Sequence, residues 1–73
     1  MAVVLLNHQI IEDCIASVHR EGCKSIERDR RQHASEIYGP YRSVEDALVE
    51  YLDPPMVELG YGLHDIKIHT CAK

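Results

Sequence analysis

A chain of 73 residues, 45% apolar and 27% charged, with a net charge of −4, is one domain and excludes a multidomain enzyme, a fibre and a wholly disordered tail. At this length only about 60% of the unfolded surface is buried on folding, so the core supplies no more than roughly 3–5 kcal/mol unless a staple or a partner adds to it. The acidic excess is repelled by phosphate backbones, which argues against direct nucleic-acid binding.

Met-Ala-Val-Val-Leu-Leu opens the sequence. The run is too short for a secretory core and has no basic residue before it, and no stretch approaches the ~18 apolar residues of a membrane helix, so a cytoplasmic protein is expected. Residues 2–6 read as a short buried strand or as the start of a helix. Residues 8–21 read as a helix, with Ile11, Cys14, Ile15 and Val18 as its stripe, Asn7 as cap and Gly22 as stop. Residues 23–37 admit two readings. Their Glu, Arg, Gln and Ala favour a helix, and Ile15, Ile26 and Ile37 recur at helical spacing. A hairpin there would instead complete a β-α-β-β-α-β, ferredoxin-like order.

Tyr38-Gly39-Pro40-Tyr41-Arg42 reads as a stiff turn. The clearest helix is 43–52: Ser43 caps it, Glu45 and Asp46 suit its positive end, and Val44, Ala47, Leu48, Tyr51 and Leu52 form one face. Asp53-Pro54-Pro55 stops it. Met56, Val57 and Leu59 suggest one further turn before Gly60-Tyr61-Gly62. From His64 to Cys71 the pattern alternates, with Ile66, Ile68 and Thr70 on one side and Lys67, His69 and Cys71 on the other, as in a half-exposed strand. The expected architecture is a single α+β domain over 1–73, two amphipathic helices packed on a short β-sheet that includes 64–71; an all-α chain is the alternative.

Three cysteines, an odd number, argue against a secreted disulfide framework and for reduced thiols. Together with five histidines they suggest a metal. His19 and Cys23 are four apart, on one face if a helix ran through Gly22; His69 and Cys71 are two apart, on one face of a strand. Two imidazoles and two thiolates suit tetrahedral zinc, which would also support a small core. No Cys-x-x-Cys pair is present, and Gly22 interrupts the helix that the first pair needs. The plain alternative makes Cys14 a core residue and the others scattered surface groups. Beyond zinc no cofactor is indicated.

Catalysis has less to stand on. Cys23 and His19 lack an indicated third group to orient them, and Glu12 and Asp13 are adjacent, so they diverge on a helix. Gly39, Gly60 and Gly62 are turn glycines without the lysine of a phosphate loop. The run Arg28-Asp29-Arg30-Arg31 is interrupted by acids and reads as a self-paired, solvated face rather than a phosphate grip.

Two surfaces suit a protein partner. Tyr38, Tyr41 and Arg42 are of the types enriched at binding hot spots, although one tyrosine could equally cover the edge of the core. Residues 43–65 hold Glu45, Asp46, Glu50, Asp53, Glu58 and Asp65 and no Lys or Arg, which suits a basic surface on another molecule, or simply solubility. Tyr-Gly-Pro-Tyr-Arg-Ser-Val-Glu-Asp-Ala, residues 38–47, resembles the strand-to-helix passage of bacterial peptidoglycan-binding SPOR domains. The likeness covers ten residues, follows from ordinary strand–turn–capped-helix grammar, and does not enter the functional reading.

The expected role is that of a small acidic intracellular regulator or inhibitor, not an enzyme, that occupies a surface of a larger partner. Tyr38, Tyr41 and Arg42 would anchor it; Glu45, Asp46, Glu50 and Glu58 would steer the encounter. In size and charge alone the chain resembles phage-encoded proteins that act on host RNA polymerase, nucleases or CRISPR complexes. The alternative is a zinc-stabilised module built on His19, Cys23, His69 and Cys71; a nucleic-acid-binding accessory protein comes third.

Overall fold

The structure, a computed structural model, describes residues 2–11, 13–52 and 54–72, without the side chains of Pro54 and Met56. The expectations resting on Glu12, on the Asp53 helix stop and on the Met56 side chain therefore lie outside the described residues.

The elements are β1 (Val3–Asn7), β2 (Ala16–Arg20), α1 (Ser25–His33), β3 (Glu36–Tyr41), α2 (Val44–Tyr51), a short α3 (Pro54–Glu58) and β4 (Ile66–Ile68). They build the expected α+β domain; the all-α alternative does not hold. The sheet order is β3-β1-β2-β4, with β1 antiparallel to both of its neighbours and β4 parallel to β2. The order along the chain starts ββαβα rather than βαββαβ, so this is not the ferredoxin-like layout.

The expected helix over 8–21 is instead a loop followed by the central strand β2. Its helical stripe was a coincidence of spacing: Ile11 is 56% exposed, while Ala16, Ser17, Val18 and His19 are all buried. A strand covered on both faces loses the alternation that identifies strands in sequence. The loop is tied down where it meets α1, with Gln9 N–H and Ile10 N–H donating to the His33 carbonyl at 3.0 and 2.8 Å.

Side chains alternate across the sheet, and its two faces differ. Val3, Leu5, Ala16, Val18 and Ile66 point to one face and join Ile15, Ala47 and Ala72 in the apolar core. There α2 docks as its spacing requires. Ser43 Oγ accepts from Asp46 N–H at 3.2 Å, Ala47 is fully buried, and Val44, Leu48 and Tyr51 pack beside it. Tyr51 Oη donates to Asn7 Oδ1 at 2.7 Å. The opposite face carries Val4, Leu6, Ser17 and His19 beneath α1.

Residues 23–37 divide between the two readings, giving helix α1 and then the start of β3. Tyr38–Tyr41 is not a turn but part of β3, an edge strand where a proline is tolerated. Register shifts there between the pairings of Val3 and Leu5. Gly39 sits in this irregularity at φ +115°, and a Cβ would lie 3.2 Å from the Val3 carbonyl oxygen, so both conformation and space demand glycine. The alternating segment 64–71 is strand only over Ile66–Ile68; one-turn 3₁₀ segments flank it at Leu63–Asp65 and Thr70–Ala72. Among the described residues no helix is long and apolar enough to cross a membrane.

Candidate metal centre

Parallel pairing of β2 with β4 sets Val18 beside Ile68. The ladder runs one step further, with His69 N–H donating to the Val18 carbonyl at 3.0 Å. His19 and His69 therefore emerge side by side on the α1 face, their rings stacked with centroids 4.5 Å apart. After β2 the chain reverses through Gly22 at φ +86°, and Cys23 N–H closes the turn on the Arg20 carbonyl at 3.0 Å. After β4 the 3₁₀ turn returns Cys71 over the same spot. One ligand atom from each of His19, Cys23, His69 and Cys71 then lies within 4.8 Å of all the others.

These four residues are the set singled out in the sequence, but the means of bringing them together differ. No helix runs through Gly22. The left-handed glycine, which seemed to obstruct the first pair, is what folds Cys23 back toward His19. Among the described residues no other group of three or more His, Cys, Asp or Glu side chains converges in this way.

The donor spacings can be compared with those of a tetrahedral metal site. A tetrahedral zinc with Zn–S near 2.3 Å and Zn–N near 2.0–2.1 Å has S···N edges of about 3.6 Å. His69 Nδ1 is 3.2 Å and His19 Nδ1 3.9 Å from Cys71 Sγ. Arg20 N–H donates to Cys71 Sγ at 3.3 Å, and the Ser25 backbone hydrogen bonds to the Cys23 thiol. Such donors stabilise a thiolate. The hydrogen bond from Cys71, reinforced by that from Ser25, draws the Cys23 thiol below its ordinary range. Burial, with Cys23 adjoining, pushes Cys71 up. Burial also lowers the His19 pKa and outweighs the opposing effect of Asp29, so the ring is held neutral, the form that can ligate a metal.

A polar assembly that sequence reasoning missed supports the site. Asp29 on α1 places Oδ2 2.8 Å from His19 Nε2 and accepts Ser17 Oγ–H at 3.1 Å. Burial works to raise the Asp29 pKa, but the hydrogen bonds from His19 and Ser17 win and hold it below the usual carboxylate range. Further along, His33 stacks on His8 with centroids 4.2 Å apart; His33 Nδ1–H donates to the Ile10 carbonyl at 3.0 Å, and His8 Nδ1 meets Ser35 Oγ at 2.6 Å. The available signal was the composition of α1: with Ile26 as its only large apolar residue, the helix must dock through polar groups. In the basic run, Glu27 faces Arg30 and Arg31 at 3.3 and 3.8 Å, and Asp29 turns inward. A groove of about 710 Å³ opens beside this assembly between α1 and β4, lined among others by Ser17, Asp29, His33, Lys67 and His69. Cys14 lines the same groove half-buried rather than sitting in the core, and it is no part of the metal group.

The expected partner contacts separate. Tyr41, Arg42, Asp46 and Glu50 line one shallow groove of about 360 Å³ with Pro40 and Val49. Tyr38, Glu45 and Glu58 do not line it. Tyr38 is 42% exposed, with its hydroxyl donating to Glu36 at 2.7 Å, while Tyr41 packs against the core. No protein-family model, curated protein or solved structure matches this chain.

Proposed function

We propose that the protein is a small zinc-stabilised module, in which His19, Cys23, His69 and Cys71 bind one metal ion. One observation carries this reading: two half-sites 52 positions apart at their extremes meet with four ligand atoms inside 4.8 Å. Two thiolates and two imidazoles form a borderline-soft donor set that suits zinc, and four protein ligands fill a tetrahedron, leaving no open position for substrate. The role of the ion is therefore structural. It joins the end of β2 to the segment after β4, where the sheet is narrowest, and adds stability that a core of this size lacks. Protein purified without chelator should contain close to one zinc per chain, and cobalt loading should give the absorption of tetrahedral thiolate coordination. Cys71→Ser should lose both; a metal content near zero in the unaltered protein would refute the reading.

A second reading concerns what the stabilised domain does. It is a non-catalytic regulator or inhibitor whose acidic side occupies a basic surface of a larger partner. In its favour, Tyr41, Arg42, Asp46 and Glu50 share one groove beside the exposed Val49. Reversing Asp46 and Glu50 to Lys should slow association and flatten its salt dependence, while Tyr41→Ala should mainly speed dissociation. Unchanged rates for both variants would dismiss this surface.

A further inference from the structure

We infer that Asp29 is the positioning residue of the metal centre: its carboxylate fixes the tautomer of His19, aims Nδ1 at the ion, and thereby ties α1 to the metal. The inference rests on the zinc reading above and says how the site is held ready.

The atoms leave little choice. His19 is fully buried, so water does not satisfy its ring. Its Nε2 lies 2.8 Å from Asp29 Oδ2. An ionised carboxylate only accepts, so the hydrogen of this contact belongs to Nε2. In a neutral imidazole the lone pair is then on Nδ1, and Nδ1 is the atom that faces Cys71 Sγ. A metal-binding histidine whose other nitrogen donates to a carboxylate is held in one orientation and made a more basic ligand.

Asp29 is itself held. Ser17, two residues before His19 on the same face of β2, donates to the same carboxylate oxygen at 3.1 Å. The other oxygen is 3.9 Å from His33 Nε2, beyond a hydrogen bond, so the contacts that fix the carboxylate come from β2. The other acid facing basic groups on this helix, Glu27, is turned to Arg30 and Arg31 at the surface. Asp29 is thus the acidic link from α1 to the site. Because α1 has almost no apolar surface with which to hold the sheet, fixing His19 on a metal also fixes the helix.

The experiment uses the full chain, histidine-labelled with ¹⁵N and loaded with ¹¹³Cd in place of zinc, together with zinc affinities from competition against a chromophoric chelator. In the unaltered protein, cadmium should couple to His19 Nδ1 while Nε2 carries the hydrogen. Asp29→Ala should weaken zinc binding about 10–100-fold. Asp29→Asn, whose amide oxygen can still accept but carries no charge, should fall between Asp29→Ala and the unaltered protein. Cadmium coupling to His19 Nε2 would overturn the inference, and so would zinc affinity within threefold of the original in Asp29→Ala. Should that variant fail to fold, the coupling pattern of the unaltered protein decides alone. Failure of the zinc reading looks different, because the unaltered chain would then take up no metal.

Discussion

On one face of the sheet, Val3, Leu5, Ala16, Val18 and Ile66 meet α2 through apolar contact. On the other, the same strands present Ser17 and His19 beside Val4 and Leu6, and α1 makes its polar contacts to this face through Asp29. Apolar packing is non-directional and proportional to area, so α2 needs only a stripe at helical spacing. Polar docking depends on atoms meeting at hydrogen-bond distance, and it fails if one partner is missing. The α2 face therefore holds itself together, whereas the α1 face depends on a small set of atoms that a metal would lock in place.

Chelation of the proposed zinc breaks this comparison most sharply. With zinc at 1,000 times its dissociation constant, removal should cost about 4 kcal/mol of stability. Amide exchange should show where the loss falls, with α1 and the segment after β4 losing protection while α2 keeps most of its own. Equal loss in both helices would mean that the two faces are not independently held.

Leu5→Ala tests the other side. Leu5 is fully buried in the apolar core, so truncation should cost about 2–5 kcal/mol in denaturant unfolding. The cost should be the same with zinc and without it if the two faces are held independently, although Val18 lies next to both Leu5 and the His19–His69 pair. A cost that changes on metal binding would show the faces to be coupled through the strands.

Acid should affect the polar face first, and the effect is smaller. Burial, aided by the neighbouring His33, holds the His8 pKa below the ordinary 6.5. Below about 6.5 the unfolded chain therefore takes up a proton more readily than the folded one, and stability falls as pH drops through this window. The slope for one histidine is at most about 1.4 kcal/mol per pH unit. Measured on metal-free protein, His8→Gln should flatten the decline. An unchanged pH profile in that variant would assign the loss to other groups, such as His19, which burial shifts in the same direction.

The legibility of the sequence follows the same division. Helix α2 was readable down to its cap because Ser43, Ala47 and Tyr51 act within one element, at spacings that local geometry fixes. Strand β2 was not, because burial on both sides removed its alternation and left a chance helical stripe. The four converging side chains, His19, Cys23, His69 and Cys71, were identifiable by type, yet the geometry assumed for the first pair was wrong. Asp29 looked like an interruption in a basic run, since nothing in residues 28–31 indicates that one acid turns inward.

By itself the sequence determined an acidic chain of α+β class, its capped second helix, and which histidines and cysteines could converge. Only the tertiary structure decided that β4 lies parallel to β2, which sets His69 beside His19, that Gly22 turns Cys23 back, and that Asp29 stands behind His19. Local spacing controls neighbours a few residues apart; half-sites 52 positions apart at their extremes meet only through strand register, which is a property of the whole sheet.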